Sequence, residues 1–288
     1  MCRWMAWLGQ DVLIDELLFK TQHGIVDQSL HSRLGAETTN GDGFGLGWYG
    51  VEDPVSSGAD STAGVPVLFR GVGPAWGDVN LRELAHNISS GLFLAHIRAS
   101  TGTPVQQTNC HPFRHEQWLW VHNGAIRGFE VLKRDLVLAV DAELYPFVAG
   151  STDSEVMFYL ALTFGLREDA VAAVERMVGF VEATARRHGV DDPMQMTVAT
   201  SDGEKLWAFR YSSTGQSRTL YVSTALAALR DLYPDDPAFQ RLSDETRVVV
   251  SEPLGDLSGA WNPVPESSYG IVEQGDDCLL YTSPSPRD

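Results

Sequence analysis

Alternating or short apolar runs predict strands near residues 2–8, 44–50, 66–70, 91–99, 117–122, 194–200, 205–211, 219–224, 246–251 and 269–272. Asp202-Gly203, between the sixth and seventh of these, is a hairpin-turn signal. Helical periodicity appears near 11–20, 80–88, 129–139, 153–166 and 168–188. Asp11 ahead of Ile14, Leu17 and Leu18 suits an N-capped amphipathic helix. Thr152-Asp153-Ser154-Glu155 reads as a capping box opening the apolar run 156–166. The Ser-, Gly- and Asp-rich stretch 54–64 reads as a solvated loop. Strands and helices come in clusters without a regular βαβ rhythm. That order predicts an α+β fold of antiparallel sheets with helices on the outer faces, in one domain.

Composition narrows the setting. The 288 residues are 43% hydrophobic, enough for a substantial core, and carry a formal charge of −17. Phosphate contacts need clustered Lys and Arg, and the densest cluster is Arg186-Arg187, so nucleic acid and anionic lipid are excluded as partners. No basic region leads into an apolar stretch at the N-terminus, and the run 156–166 is too short to span a bilayer. Three widely spaced cysteines give neither a disulfide framework nor a zinc spacing, so no metal or other cofactor is expected. A soluble, reducing, cytoplasmic setting is the expectation. Residues 278–288 share none of the preceding strand's patterning and read as a non-native tail, leaving 2–275 as the folded domain and Cys278 without a role.

Several short motifs carry candidate chemistry. Cys2 precedes a strand-like run, and removal of Met1 would give it a free α-amine beside its thiol. Amine and thiol titrate near ~7.7–8.0 and ~8.5 in peptides, so one residue would hold both nucleophile and base. The alternative is a cysteine that merely begins a buried strand. The segment from Gly41 to Gly50 is glycine-dense but leads into a strand rather than a helix, which rules out a dinucleotide fingerprint. Such glycines permit close approach of a substrate or of neighbouring backbone. Arg98, at a strand end, can grip a carboxylate bidentately or lie on the surface. Cys110 and His111 are adjacent on an extended chain and point opposite ways, so Cys110 reads as a structural thiol. Asn123-Gly124 reads as a hairpin turn or as two oxyanion donors.

Taken together, Cys2-Arg3, Asp42-Gly43-Phe44-Gly45-Leu46-Gly47-Trp48-Tyr49, Ala95-His96-Ile97-Arg98-Ala99-Ser100-Thr101, Asn109-Cys110-His111-Pro112-Phe113, His122-Asn123-Gly124 and Thr152-Asp153-Ser154-Glu155 occur in the order of class II glutamine amidotransferase domains. The chain resembles that family of N-terminal-nucleophile hydrolases, and most of all its stand-alone subgroup of glutathione-degrading and ergothioneine-pathway γ-glutamyl amidohydrolases. Ser251-Glu252-Pro253-Leu254 and Trp261-Asn262-Pro263-Val264-Pro265 also look like this subgroup.

The resemblance implies a four-layer αββα sandwich and a role for each matching residue. Cys2 would be the nucleophile, with Asn123 and Gly124 stabilising the oxyanion. Arg98 would hold the substrate α-carboxylate, Asp153 its α-ammonium, and Thr101 would line the γ-glutamyl pocket. Glucosamine-type members carry Trp and His where this chain has Ala99 and Gly102. A less crowded pocket mouth would then admit a leaving group larger than ammonia. The expected activity is hydrolysis of a γ-glutamyl amide, glutamine or a γ-glutamyl peptide, through a glutamyl thioester. Two alternatives stand beside it: a glutaminase subunit passing ammonia to a partner synthase, and a non-catalytic relative that binds a γ-glutamyl ligand.

Overall fold

In the computed structural model, residues 2–31, 39–50, 64–100, 102–232, 234–235, 237–273 and 279–282 are described. The expected loop 54–64, apart from Gly64, together with Thr101 and Cys278, lies outside them. The chain runs β1 (Arg3–Leu13), α1 (Ile14–Leu18), α2 (Ile25–Leu30), β2 (Phe44–Trp48), β3 (Val67–Gly71), α3 (Val79–Asn87), β4 (Ser89–Ile97), β5 (Phe113–His115) and β6 (Trp118–Ile126). There follow α4 (Phe129–Leu138), α5 (Asp153–Thr163), α6 (Ala170–Arg187), β7 (Met194–Ser201), β8 (Leu206–Ser212) and β9 (Tyr221–Ser223). The last elements are α7 (Leu226–Leu232), α8 (Pro237–Arg241), β10 (Arg247–Val250), β11 (Trp261–Pro263), β12 (Ser268–Val272) and β13 (Leu279–Thr282).

The strands form two antiparallel sheets, ordered β11-β9-β10-β1-β4-β2-β3 and β13-β12-β8-β7-β6-β5. Period-two alternation explains how they stack. Along β1, Trp4, Ala6 and Leu8 join Leu94, Leu119, Val121 and Ala199 in a core between the sheets. Met5 and Trp7 face the other way and pack with Ile14, Leu18, Ile25 and Leu81 of α1 to α3. In β6, Leu119 and Val121 point inward, while Trp118 and Trp120 pack with residues of α4 to α6 such as Leu132, Phe158 and Met177. Each sheet thus buries both faces, and the layers are helix, sheet, sheet, helix, as expected. Leu279–Thr282, inside the stretch read as a tail, pairs antiparallel with β12 as an edge strand. Among the described residues, no helix is long and apolar enough to cross a membrane.

Local expectations are met unevenly. The loop at Asp202-Gly203 closes the β7–β8 hairpin, with Asp202 Oδ1 accepting from the backbone of Glu204 and Lys205. The helix expected at 11–20 is shorter, because β1 continues past a register shift to pair Val12 with Ser90 and Leu13 with Ser89. Asp11 therefore lies in a strand, and Leu13 occupies the N-cap without a side-chain bond. At α5, Thr152 Oγ1 accepts from Glu155 N as a capping box requires. The reciprocal half is replaced: Glu155 turns to accept from Ala149 N and Gly150 N, ordering the loop ahead of the helix. The glycine-dense strand β2 also finds its reason. A Cβ on Gly45 would lie 2.0 Å from His111 O, so the neighbouring backbone occupies the space a side chain would need.

Candidate active site

Cys2 stands half-buried at the open end of β1, where β4 flanks it on one side and β10 on the other. Its Sγ is 3.5 Å from Ala99 O and accepts from Ala99 N at the same distance. Burial pushes the thiol above its ordinary pKa, against the Ala99 hydrogen bond and the Arg98 cation, which pull it down; the Asp153 carboxylate adds to the rise. The thiol is thus mostly protonated at neutral pH, and any use of it as a nucleophile would need a base beside it.

A largely buried chain of polar side chains anchors the strand behind the thiol. Arg3 Nη1 donates to Cys2 O at 3.0 Å, and Arg3 Nη2 pairs with Glu252 at 2.8 Å. The other oxygen of Glu252 meets His23 Nε2 at 2.8 Å, and His23 Nδ1 meets Asp27 at 2.8 Å. Gln28 Nε2 donates to the carbonyls of His23, Glu252 and Pro253, fixing the two segments to each other. Glu252 was visible in the sequence only as part of a subgroup motif, and His23 carried no signal at all.

Arg98 extends β4 beside Cys2 and is buried. Its Nη1 donates to Asp42 O, and its Nη2 donates to Ser100 Oγ, Thr103 Oγ1 and Pro104 O. Asp42 also accepts from Ser100 N through its side chain, so the loop after β4 is held by both residues. Asn109 extends the brace, donating to Pro104 O while accepting from Ser151 N.

Asn123 and Gly124 do not form a turn. Of the two readings, the hairpin turn does not hold: β6 runs straight through to Ile126, paired with β7 from Leu119 onward. Gly124 is needed for proximity, since a Cβ there would lie 1.8 Å from Gln195 O. The side-chain amide of Asn123 has no hydrogen-bond partner among the described residues, although the residue is only 5% exposed. Its backbone is tied to the strand that follows Cys2: Trp4 Nε1 donates to Thr197 Oγ1, which donates to Asn123 O. Asp153 opens α5 and accepts from Ile126 N at 2.7 Å, locking the helix start to the end of β6. The fold therefore gathers Cys2, Arg98 and Asp153 into one electrostatic environment, with Asn123 on the facing sheet.

Beneath the site, the rings of His96 and His111 stack with centroids 4.1 Å apart. Burial lowers the His96 pKa to about 3 and holds His111 well below the ordinary value. His122 is lowered too, again chiefly by burial, and its Nδ1 meets Ser154 Oγ at 2.7 Å. Cys110 is buried with its thiol directed at Gly71 O, and burial raises its pKa, in keeping with a structural role. Among the described residues no group of three or more His, Cys, Asp or Glu side chains is arranged to hold a metal.

Comparison with known proteins is consistent with this geometry. The family model of class-II glutamine amidotransferases matches residues 19–288. The protein named "Probable glutamine amidotransferase DUG3" of Saccharomyces cerevisiae is 31% identical over 95% of this chain and 82% of its own length. The γ-glutamyl-hercynylcysteine sulfoxide hydrolase of Mycolicibacterium smegmatis is 28% identical over 88% of this chain and 96% of its own. A solved glutamine aminotransferase class-II domain protein from Silicibacter pomeroyi superposes with a TM-score of 0.69 at 30% identity, covering 98% of this chain and 100% of that one. The phosphoribosylpyrophosphate amidotransferase of Bacillus subtilis shares the fold at a TM-score of 0.61 and 14% identity, over 97% of this chain and 49% of that chain. With its two packed sheets, its cysteine at the start of β1 and these relatives, the chain belongs to the class II glutamine amidotransferases, on the N-terminal-nucleophile hydrolase fold.

Proposed function

We propose that the protein hydrolyses the γ-amide bond of a γ-glutamyl compound through a thioester on Cys2. Amidohydrolysis of γ-glutamyl bonds in general follows from the family, and the finer assignment rests on this chain's residues. The observation that carries it is the pairing of opposite charges around one thiol. Arg98 and Asp153 both act on Cys2, one as a cation and one as an anion. A γ-glutamyl group presents a carboxylate and an ammonium on one carbon, so it needs one fixed charge of each sign. Arg98 suits the carboxylate because its planar fork matches two oxygens. Substrate would exchange with the loop acceptors that its Nη2 now holds.

In this mechanism the α-amine of Cys2, freed by loss of Met1, takes the thiol proton as sulfur attacks the γ-carbonyl. The Asn123 amide and the Gly124 N–H receive the oxyanion, and each such donor contributes about 10²–10³ in turnover. Collapse expels the amine, which leaves with the proton, and water then cleaves the thioester to glutamate and free thiol. Thr101 would line the glutamyl pocket. The mouth is open: a Cβ on Gly102 would meet nothing within 4 Å. That space supports a γ-glutamyl peptide or thiol over glutamine.

Intact-mass measurement of the purified protein, followed by glutamate release from glutamine and a panel of γ-glutamyl compounds, tests this. Loss of Met1 and turnover abolished in Cys2→Ala are the expected results. Retained Met1, or activity surviving in Cys2→Ala, would refute the mechanism.

A further inference from the structure

A second arginine reaches the nucleophile from the side opposite Arg98. In the sheet order β9-β10-β1-β4, Arg98 follows β4, while Arg218 precedes β9. All four strands bring their site-facing ends together, since β1 is antiparallel to both neighbours and β9 is antiparallel to β10. Thr219 Oγ1 donates to Ser251 O, and Ser251 in turn bonds Trp4 through both its backbone N and its hydroxyl, two residues from Cys2. Arg218 lies within electrostatic reach of both Arg3 and Cys2.

Among the described residues this cation has no counterion. Arg218 Nε is buried without a hydrogen-bond partner, and no carboxylate among the described residues pairs with its guanidinium. The acids close by are already engaged. Glu252 is held by Arg3 and His23. Glu266 is held by Arg210, Ser212 and Ser217, and its grip on Ser217 N fixes the backbone just before Arg218. Burying part of a guanidinium without an acceptor is costly unless a ligand supplies one. In a chain of net charge −17, leaving a cation unpaired beside the nucleophile is a local exception.

We propose that Arg218 docks a carboxylate carried by the leaving-group half of the substrate, so that the preferred substrates are γ-glutamyl amino acids or peptides with a free carboxylate. The assignment rests on the γ-glutamyl amidohydrolase reading: with the glutamyl head between Arg98 and Asp153, the departing amine points across Cys2 toward the β9 and β10 side.

The test compares γ-glutamylglycine with γ-glutamylglycinamide, which differ only in that carboxylate. Wild type should favour the acid by about 10- to 100-fold in kcat/KM, the range of a charge-assisted hydrogen bond. In Arg218→Gln the ratio should fall to near one, and Arg218→Lys should restore part of it. A ratio is insensitive to the fraction of folded protein. An unchanged ratio in Arg218→Gln, or no preference in wild type, would overturn the assignment. If neither compound is hydrolysed, the catalytic reading fails, and calorimetry on Cys2→Ala decides the docking separately. Tighter binding of the acid than the amide, lost in Cys2→Ala/Arg218→Gln, supports it; equal binding of the two, or no binding of either, overturns it.

Discussion

Arg3 Nη2 and Glu252 Oε2 lie 2.8 Å apart, with side chains 3% and 2% exposed, and the same guanidinium holds the carbonyl of Cys2. A buried pair contributes little net stability, yet losing one partner strands the other charge at a cost of about 3–5 kcal/mol. Glu252→Gln should therefore lose about that much in urea unfolding. Activity should fall as well, if Cys2 is the proposed nucleophile, because Arg3 no longer fixes its backbone. Arg3→Met/Glu252→Leu should be less destabilised than the sum of its single variants. A loss under about 1 kcal/mol in Glu252→Gln would mean the pair does not anchor β1.

Burial holds the Cys2 thiol above its ordinary range. Its alkylation by iodoacetamide should keep accelerating as pH rises past ~8.5, the value of an unperturbed thiol. A rate that levels off at or below that pH would contradict the burial. The rate of Cys110 in Cys2→Ala serves as the reference for a fully buried thiol.

The three buried imidazoles make stability fall on the acid side. Unfolded histidine titrates near ~6.5, whereas folded His96 stays neutral down to about 3. Between those values the unfolded chain binds more protons. Unfolding free energy is therefore fully present above ~6.5 and falls as pH drops, by about 1.4 kcal/mol per pH unit for each such ring. Urea unfolding between pH 7.5 and 4.5 measures this slope. His96→Gln should flatten it by about one ring's share, and an identical slope in that variant would refute the assignment.

Gly45 and Gly50 provide a steric contrast within one stretch. A Cβ on Gly45 would lie 2.0 Å from His111 O, while one on Gly50 would meet nothing within 4 Å. Gly45→Ala should cost about 1–3 kcal/mol or prevent folding, as overpacking does. Gly50→Ala should stay within about 0.5 kcal/mol of wild type by thermal unfolding.

Much of the architecture is written in local pattern. The alternation Trp4-Met5-Ala6-Trp7 states that one strand has two buried faces, and the same holds at Trp118-Leu119-Trp120-Val121. Periods of two and 3.6 depend on neighbouring residues alone, so strands and helices are legible before the fold is known. Motif order along the chain likewise marks Cys2, Arg98, Asn123, Gly124 and Asp153 as a set. Where a local rule competed with pairing, it failed. Asn123-Gly124 carries a turn signal, but β7 keeps it extended, and Asp11 carries a cap signal, but β4 holds it in a strand.

The sequence by itself determined the family, implied the two-sheet layering through that resemblance, and marked Cys2 as the candidate nucleophile. Tertiary structure alone decided what surrounds Cys2: Glu252 reaching Arg3, His23 meeting the other oxygen of Glu252, and Arg218 arriving opposite Arg98 with no carboxylate partner among the described residues. Glu252 and Arg218 lie more than two hundred residues from Cys2, and His23 meets Glu252 across 229 positions. Charge pairing acts through space, and no period along the chain encodes which distant side chains the closing of a sheet will bring together.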